Sequence, residues 1–412
     1  MLDLPVLEDL PPVAGKRVLL RVDFNVPLED QPDGSRVVTD DFRIRAALPT
    51  ISWLVEQGAD VVLATHLGRP NGKPDPRYSL DPVRERLAQL APGVKLLDNL
   101  RFDPGEEQNS ASFVDTLLDG IDFYVNDAFG ATHRAHASIV GPPSRVPSAA
   151  GRLLAREVEV LSDLLHGPSQ PFVVVVGGGK PSSKLGLMAA LAEKVDEVLI
   201  GGGMAHTFQA AAGCTTGRSM VDHDLVDECR RILMSDTSIR LPVDLRVLSA
   251  DGRVMTADAL VAAQELEASY RYTRPSKVQR RADGGEVRIS GRDVEHGWEA
   301  LDIGPASAEI YREVILNAAT VFWNGPMGVF EDPRFACGTR VVAEAVAACP
   351  GFTVVGGGDS ASALRSLGLT SAIDHVSTGG GASLELIERG DLPGLAALRE
   401  GAKAFAPAHA HG

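Results

Sequence analysis

The chain has 412 residues, 44% apolar and 23% charged, with a formal net charge of −15 and a mean hydropathy of +0.01. That length provides for two or three domains with ordinary cores, and the composition excludes a disordered chain. Four cysteines exclude a disulfide scaffold, and the acidic balance excludes a general affinity for nucleic acid or anionic lipid, so any anion site has to be a local basic cluster.

The opening MLDLPVLEDLPPVAGK lacks the basic start and long apolar run of a signal peptide. No stretch approaches the ~20 apolar residues that span a bilayer. The cysteines, at 214, 229, 337 and 349, have no CxxC spacing. A reduced, cytoplasmic protein without membrane partners is expected.

Short apolar runs followed by turn residues read as strands at RVLLRVDFN (17–25), DVVLATHLG (60–68), VKLLDNLRF (94–102) and DFYVNDAFG (122–130). Helical patterns lie between them, at RIRAALPTISWLVEQG (43–58) and DPVRERLAQL (81–90). The segment SAAGRLLAREVEVLSDLLHGP (148–168) carries Leu154, Val158, Leu161 and Leu165 at helical spacing, with Ser148 placed as its N-cap and Gly167-Pro168 as its stop. It reads as an interdomain helix that divides the chain near residue 150.

A second strand series follows at PFVVVVGGG (171–179), EVLIGGG (197–203), IRLPVDL (239–245), TVFWNGP (320–326), FTVVGGGDS (352–360) and HVSTGGG (375–381). The helical patterns KLGLMAALAEKV (184–195) and TRVVAEAVAAC (339–349) alternate with it. Near-continuous Val/Ile/Leu strands alternating with helices predict an α/β fold of parallel sheets covered on both faces. Residues 246–296 are less regular; their basic run RYTRPSKVQRR (271–281) reads as a solvated insertion rather than a nucleic-acid patch, and PAHAHG as a frayed tail.

In open parallel sheets ligands bind outside the carboxyl ends of the strands. In the first half the residues there are Asp23, Asn25, His66, Arg69, Arg101, His133, Arg134 and His136, with Arg43 opening the first helix. Guanidiniums and imidazoles gathered at one sheet edge make a cup for a small polyanion, because the planar fork of arginine matches phosphate or carboxylate in two places. In the second half the strand ends are glycine-rich: VGGGKPSSK (176–184), GGGMAHTF (201–208), WNGPMGVFE (323–331), GGGDSAS (356–362) and STGGGAS (377–383). Glycine lets backbone N–H groups approach a phosphate, and a helix start such as that after GGGDSAS adds favourable partial charge. Lys180 and Lys184, four apart, share a face on a helical turn. Neither a P-loop nor a clean dinucleotide fingerprint is present.

In order, RVDFNVP, RIRAALPTI, THLGRP, NLRF, NDAFGATHRAHAS, GGGKPSSK, GGGM, LPVD, WNGPMGVFE, GGGDSAS and STGGGAS resemble the signature segments of the phosphoglycerate kinases, from about residue 17 to 387. The resemblance implies two doubly wound parallel-sheet (Rossmann-like) domains joined by an interdomain helix and hinge. Their expected bounds are 1–150 with the tail 392–412, then the helix 151–168, then 169–391. It implies a 3-phosphoglycerate site of Asp23, Asn25, Arg43, His66, Arg69, Arg101 and Arg134. It implies a nucleotide site of Lys180, Lys184, Gly203, Asn324, Glu331, Gly357, Gly358, Asp359, Ser360 and the loop 379–381. Arg43, Lys184, Gly358 and Gly381 are the expected catalytic groups, with Mg²⁺ arriving on ATP or ADP and facing Asp359. The implied partners are these small molecules only, and the implied state is a monomer.

Some positions depart from the family pattern: GGGKPSSK stands where GGAKVxDK is usual, Ser360 where threonine is common, and His206 where an aromatic ring is usual beside adenine. The segment 246–296 is longer than expected. Alternative readings are another ATP-dependent carboxylate kinase on the same architecture, a dinucleotide-dependent dehydrogenase, and an RNA-binding scaffold using 271–281.

Overall fold

The computed structural model describes residues 3–179, 181–249 and 287–405. The chain forms two compact units, 1–163 with 381–412, and 164–380. Each is built on an open parallel sheet.

In the first unit the strands lie in the order Lys95–Leu96, Asp60–Ala64, Arg17–Arg21, Phe123–Asn126, Ser148–Ala150, all parallel. Val18, Leu20, Val61, Leu63, Phe123 and Val125 are buried on one face of the sheet and Leu19 and Val62 on the other, so both strand faces are apolar. Phe42–Glu56 shows how a covering helix is specified. Asp40 Oδ1 accepts the Phe42 N–H at 3.0 Å, Ile44, Ala47, Ile51 and Leu54 line its buried face, and Gly58, at φ 78°, ends it.

The helix expected between the two strand series is Arg152–His166, and the division into units falls within it, after residue 163, rather than near 150. Ser148 is not its cap: Ser148–Ala150 is the last strand of the sheet, paired to Phe123–Asn126. The helix start is satisfied instead by Asp127 Oδ1, which accepts the Leu154 N–H at 3.1 Å, and by Thr50 Oγ1, which accepts that of Arg152 at 2.9 Å. A Cβ at Gly151 would lie 2.2 Å from the Asp127 carboxylate, which explains the glycine there. Gly381–Arg389 belongs to the first unit rather than the second, because it packs on the turn Phe129–Ala131. Pro393–Phe405 follows it in the same unit and packs on Pro142–Ser144 and Ala137–Val140. The end of the tail, 406–412, lies outside the described residues.

In the second unit the order is Ile239–Arg240, Glu197–Ile200, Phe172–Val176, Thr320–Asn324, Phe352–Gly356, His375–Val376, again all parallel. Trp323 is fully buried in its core beside Val173, Val175 and Val355, and its indole N–H donates to Gly325 O at 2.7 Å. A separate antiparallel sheet, Leu245–Ser249 between Val287–Ser290 and Trp298–Ile303, occupies part of the segment read as irregular. The basic run 271–281 lies outside the described residues.

Candidate functional site

Numbered along the chain, the first sheet reads 3-2-1-4-5 and the second 3-2-1-4-5-6. Both orders reverse between strands 1 and 4, and at such a point the connections leave in opposite directions and open a ligand crevice. The residues that follow those strands are the ones that carry chemistry in each unit.

In the first unit Asp23 follows strand 1. It is buried and pairs with Arg43 Nη1 at 2.6 Å. Burial alone would raise its carboxyl; the Arg43 and Arg21 charges outweigh burial and hold it below the usual carboxylate range. Two hydrogen bonds pin this loop to the one after strand 2: the Phe24 N–H donates to Thr65 Oγ1 at 2.8 Å, and the Gly68 N–H donates to Asn25 Oδ1 at 2.9 Å. His66 is buried in that second loop. Burial, together with the charges of Arg21, Arg101 and Arg134, keeps its imidazole well below the ordinary 6.5, with Asp23 opposing. Arg101 is buried too; its Nη1 donates to Gly68 O at 2.7 Å and its Nε lies 3.1 Å from the Glu107 carboxylate. Arg134 is half-buried, with Nε 3.3 Å from His133 Nε2. The charges of Asp23, Arg43, His66, Arg101 and Arg134 thus bear on one another, while Asn25 and Arg69 are exposed at the rim.

Two residues of this cup escape a reading of strand ends. Arg21, inside the first apolar run, is 1% exposed and faces His66. Asn99 clips two loops together: its Oδ1 accepts the N–H groups of Leu67 at 3.2 Å and Arg101 at 3.1 Å, and its Nδ2 donates to the carbonyls of Leu67 at 2.7 Å and Tyr78 at 3.0 Å. A cluster of cations in an acidic chain, each held by its own hydrogen bonds, is suited to a small, multiply charged anion.

In the second unit Lys184 and Asn324 meet across the reversal point. The Lys184 ammonium bonds to the Asn324 side-chain oxygen and lies 3.2 Å from its main-chain carbonyl. Burial lowers the Lys184 pKa to about 8, with Asp359 acting to raise it. The Asn324 side-chain nitrogen is buried and has no partner among the described residues, so a donor is left over for a ligand. Lys180 lies outside the described residues.

The glycines divide into two sets. A Cβ at Gly177 would meet Pro326 O at 2.2 Å, one at Gly202 would meet Gly178 N at 2.6 Å, and one at Gly325 would meet Gly177 O at 2.3 Å, so these three let neighbouring loops touch backbone to backbone. At Gly178, Gly358, Gly380 and Gly381 a Cβ would meet nothing within 4 Å, and there the bare backbone faces open space. Gly203 leads into Met204–Ala211, 3.2 Å from Gly179 by the same measure. Gly357, at φ 92°, precedes the helix Gly358–Ser366, in whose first turn Asp359 is exposed. Ser360 is buried and its oxygen accepts the Gly325 N–H at 2.6 Å, which leaves its O–H as the group it offers. Glu331 is exposed beyond the same strand end as Asn324. His206 is buried, with Nε2 3.2 Å from Ala300 O, so this departure from the family pattern falls on a contact with the antiparallel strand Trp298–Ile303. Among the described residues no three His, Cys, Asp or Glu side chains gather to hold a metal ion.

Fold and site together define a two-unit α/β protein with an arginine- and histidine-lined sheet edge on one unit and a half-buried lysine among glycine-rich strand ends on the other. The family model for phosphoglycerate kinase matches residues 7–95 and 91–390. The phosphoglycerate kinase of Frankia casuarinae is 47% identical over 94% of this chain and 98% of its own length, and that of Rubrobacter xylanophilus is 44% identical over 94% and 96%. Among solved structures, the phosphoglycerate kinase from Coxiella burnetii superposes with a TM-score of 0.79 at 33% identity, covering 97% of this chain and 99% of that one. The enzyme from Pyrococcus horikoshii gives 0.79 at 31% identity, over 97% and 100%. The chain belongs to the phosphoglycerate kinase family.

Proposed function

We propose that the protein catalyses reversible phosphoryl transfer between 1,3-bisphosphoglycerate and ADP, giving 3-phosphoglycerate and ATP. The observation that carries this reading, in a chain of this family, is that the two sheets bring different chemistry to equivalent points: a cationic cup around His66 on one, and Lys184 with Asn324 among glycine loops on the other. The cup takes 3-phosphoglycerate through Arg43, His66, Arg69, Arg101 and Arg134, with Asp23 orienting Arg43 and Asn25 holding the Gly68 loop. The glycine loops take the nucleotide, with Gly357, Gly358 and the Ser360 hydroxyl at its phosphates and Glu331 among its further contacts.

The attacking group is the acceptor carboxylate. With a pKa of about 3.5 it is already ionised at neutral pH, so no general base is required. A carboxylate oxygen bonds to the γ-phosphorus as the bond to the ADP oxygen breaks, and no proton moves. The remaining task is electrostatic, since two polyanions have to meet. Lys184 and Arg43 neutralise the oxygens of the phosphoryl group in transit, and the open backbone at Gly358 and Gly381 supplies fixed dipoles. Asp359 suits a Mg²⁺ ion delivered by the nucleotide, because this ion keeps most of its water and takes one or two carboxylates plus phosphate oxygens rather than a protein cage. When bound, Mg²⁺ offsets the charge of the leaving diphosphate.

Acceptor and donor belong to separate units, so transfer requires the two to close on each other. The protein acts as a monomer in the cytoplasm; four free cysteines support the reducing compartment. A coupled assay with 3-phosphoglycerate and MgATP is expected to give turnover; activity with acetate, aspartate or glycerate in its place would instead mark another carboxylate kinase. Small-angle scattering on the same sample should record compaction only when both substrates are present, and unchanged dimensions would remove closure from the mechanism.

A further inference from the structure

Behind the cup lies a buried polar chain that none of the assigned roles uses. Arg21 ends the first strand, and each of its three guanidinium nitrogens has a partner. Its Nε donates to Ser138 Oγ at 2.8 Å, its Nη1 donates to the Val22 carbonyl, and its Nη2 faces His66 Nδ1 at 3.2 Å. Ser138 Oγ in turn donates to Glu106 Oε1 at 2.7 Å, and the Ser138 N–H donates to Glu106 Oε2 at 2.9 Å. The Tyr124 hydroxyl holds the Ser138 carbonyl at 2.7 Å. Glu106 and Ser138 are 0% exposed and Arg21 is 1% exposed.

The donor directions in this chain are forced. A guanidinium carries donors and no acceptor, so the atom it faces on His66 has to be a bare nitrogen. The ring proton therefore sits on Nε2, the nitrogen directed away from Arg21. The same logic runs backwards along the chain. Ser138 Oγ accepts from Arg21, so its own proton points at Glu106, whose two oxygens only accept. Glu106 also brings a negative charge within 3.9 Å of Arg21 and 3.8 Å of His136 Nδ1, which lets a cation be buried this deep without a free anion beside it.

We propose that Glu106 and Ser138 are positioning residues for the reaction: through Arg21 they hold His66 as a neutral Nε2–H donor, so that the deepest imidazole of the cup recognises the acceptor by donating a hydrogen bond rather than by carrying a charge. The charged groups that bear on His66 are Asp23, Arg21, Arg101 and Arg134, three cations to one anion, and with burial they keep the ring from protonating. A neutral donor has a functional consequence: acceptor binding does not gain or lose a charge at His66 across the range in which a free histidine titrates. The inference rests on the reading of the cup as the 3-phosphoglycerate site, but its first test does not.

In the full-length protein with ¹⁵N-labelled histidine, His66 is expected to give the signature of the neutral Nε2–H tautomer, unchanged from about pH 6 to 8. A proton on Nδ1, or a ring titrating near 6.5, would overturn the proposal. Ser138→Ala removes the link between Arg21 and Glu106; the His66 signal should become a mixture of tautomers, and KM for 3-phosphoglycerate should rise about tenfold and acquire a pH dependence, while KM for ATP stays fixed. If Ser138→Ala leaves both tautomer and KM as they were, or changes KM with no change in tautomer, the positioning role is lost. Glu106→Gln, near-isosteric, is the second variant should the first not fold, and the same outcomes are read from it. A wild-type protein with the expected tautomer but no turnover of 3-phosphoglycerate would sink the functional reading and leave the tautomer assignment standing.

Discussion

Lys184→Ala is expected to lower kcat by about 10²–10³-fold while KM for 3-phosphoglycerate stays within a few-fold, because a fixed charge aimed at the transition state is worth roughly 3–4 kcal/mol in a site shielded from water. The lysine is half-buried beside Asn324, and its pKa is down at about 8, from 10.5, through burial, with Asp359 pulling the other way. A bound polyphosphate adds negative charge and returns the ammonium to its protonated form, so the cation is complete in the ternary complex. The pH profile follows with a definite sign. Because kcat/KM for the nucleotide reports the free enzyme, it should fall as pH rises through about 8, whereas kcat reports the complex and should fall only at higher pH. The stability linkage has the same origin. With its folded pKa below its unfolded one, Lys184 costs the ligand-free fold stability below about pH 8, and that cost fades as pH climbs towards 10.5. Steady-state kinetics over this range check both points; a near-native kcat in the alanine variant, or coincident limbs for kcat and kcat/KM, would remove Lys184 from the transfer step.

What the sequence made legible, and what it hid, follows from how each element is held. The strands that build both reversal points are buried on two faces, so they appear as unbroken runs such as VLL at 18–20 and VVVV at 173–176, and the residues after them group into a site from the sequence alone. Elements held mainly by their neighbours were harder to read. Lys95–Leu96 is a two-residue strand, and Ser148–Ala150 is made of small residues that read equally well as the lead-in to a helix. The antiparallel sheet that includes Val287–Ser290 has only partly buried residues in that strand, and its neighbour Leu245–Ser249 lies far off in sequence, so periodicity gave no sign of the pairing. Arg21 was invisible for a related reason. One arginine at the end of an apolar run says nothing about burial, and the partners that make burial tolerable, Ser138 and Glu106, come from the short helices Ala137–Val140 and Pro104–Glu107, which only the fold brings near. Asn99 stands close to the expected Arg101 without a signal of its own, because a lone asparagine reads as a turn rather than a clip between two loops.

The glycine runs pose the sharpest test, since a sequence cannot separate a glycine needed by a neighbouring loop from one needed by a ligand. Gly325→Ala is expected to cost about 3–5 kcal/mol of stability: its φ is 99°, and a Cβ would lie 2.3 Å from Gly177 O and 2.5 Å from Gly177 C, so backbone strain and backbone overlap add. Neither contact can be relieved by turning a side chain, because both partners are main chain. Gly358→Ala is the counterpart. It lies in the first turn of Gly358–Ser366 with no atom within 4 Å of the new methyl, and alanine is the better helix former by up to about 1 kcal/mol, so thermal stability should hold or rise. If the open backbone there cradles phosphate, the methyl group occupies the approach, and nucleotide affinity should drop about tenfold or more while stability does not. Thermal unfolding and a nucleotide titration on the two variants read the separation directly. A Gly358→Ala protein that binds ADP as tightly as the native chain would mean that this run of glycines serves the turn alone, and the phosphate site would have to be sought among the remaining open positions, Gly178, Gly380 and Gly381.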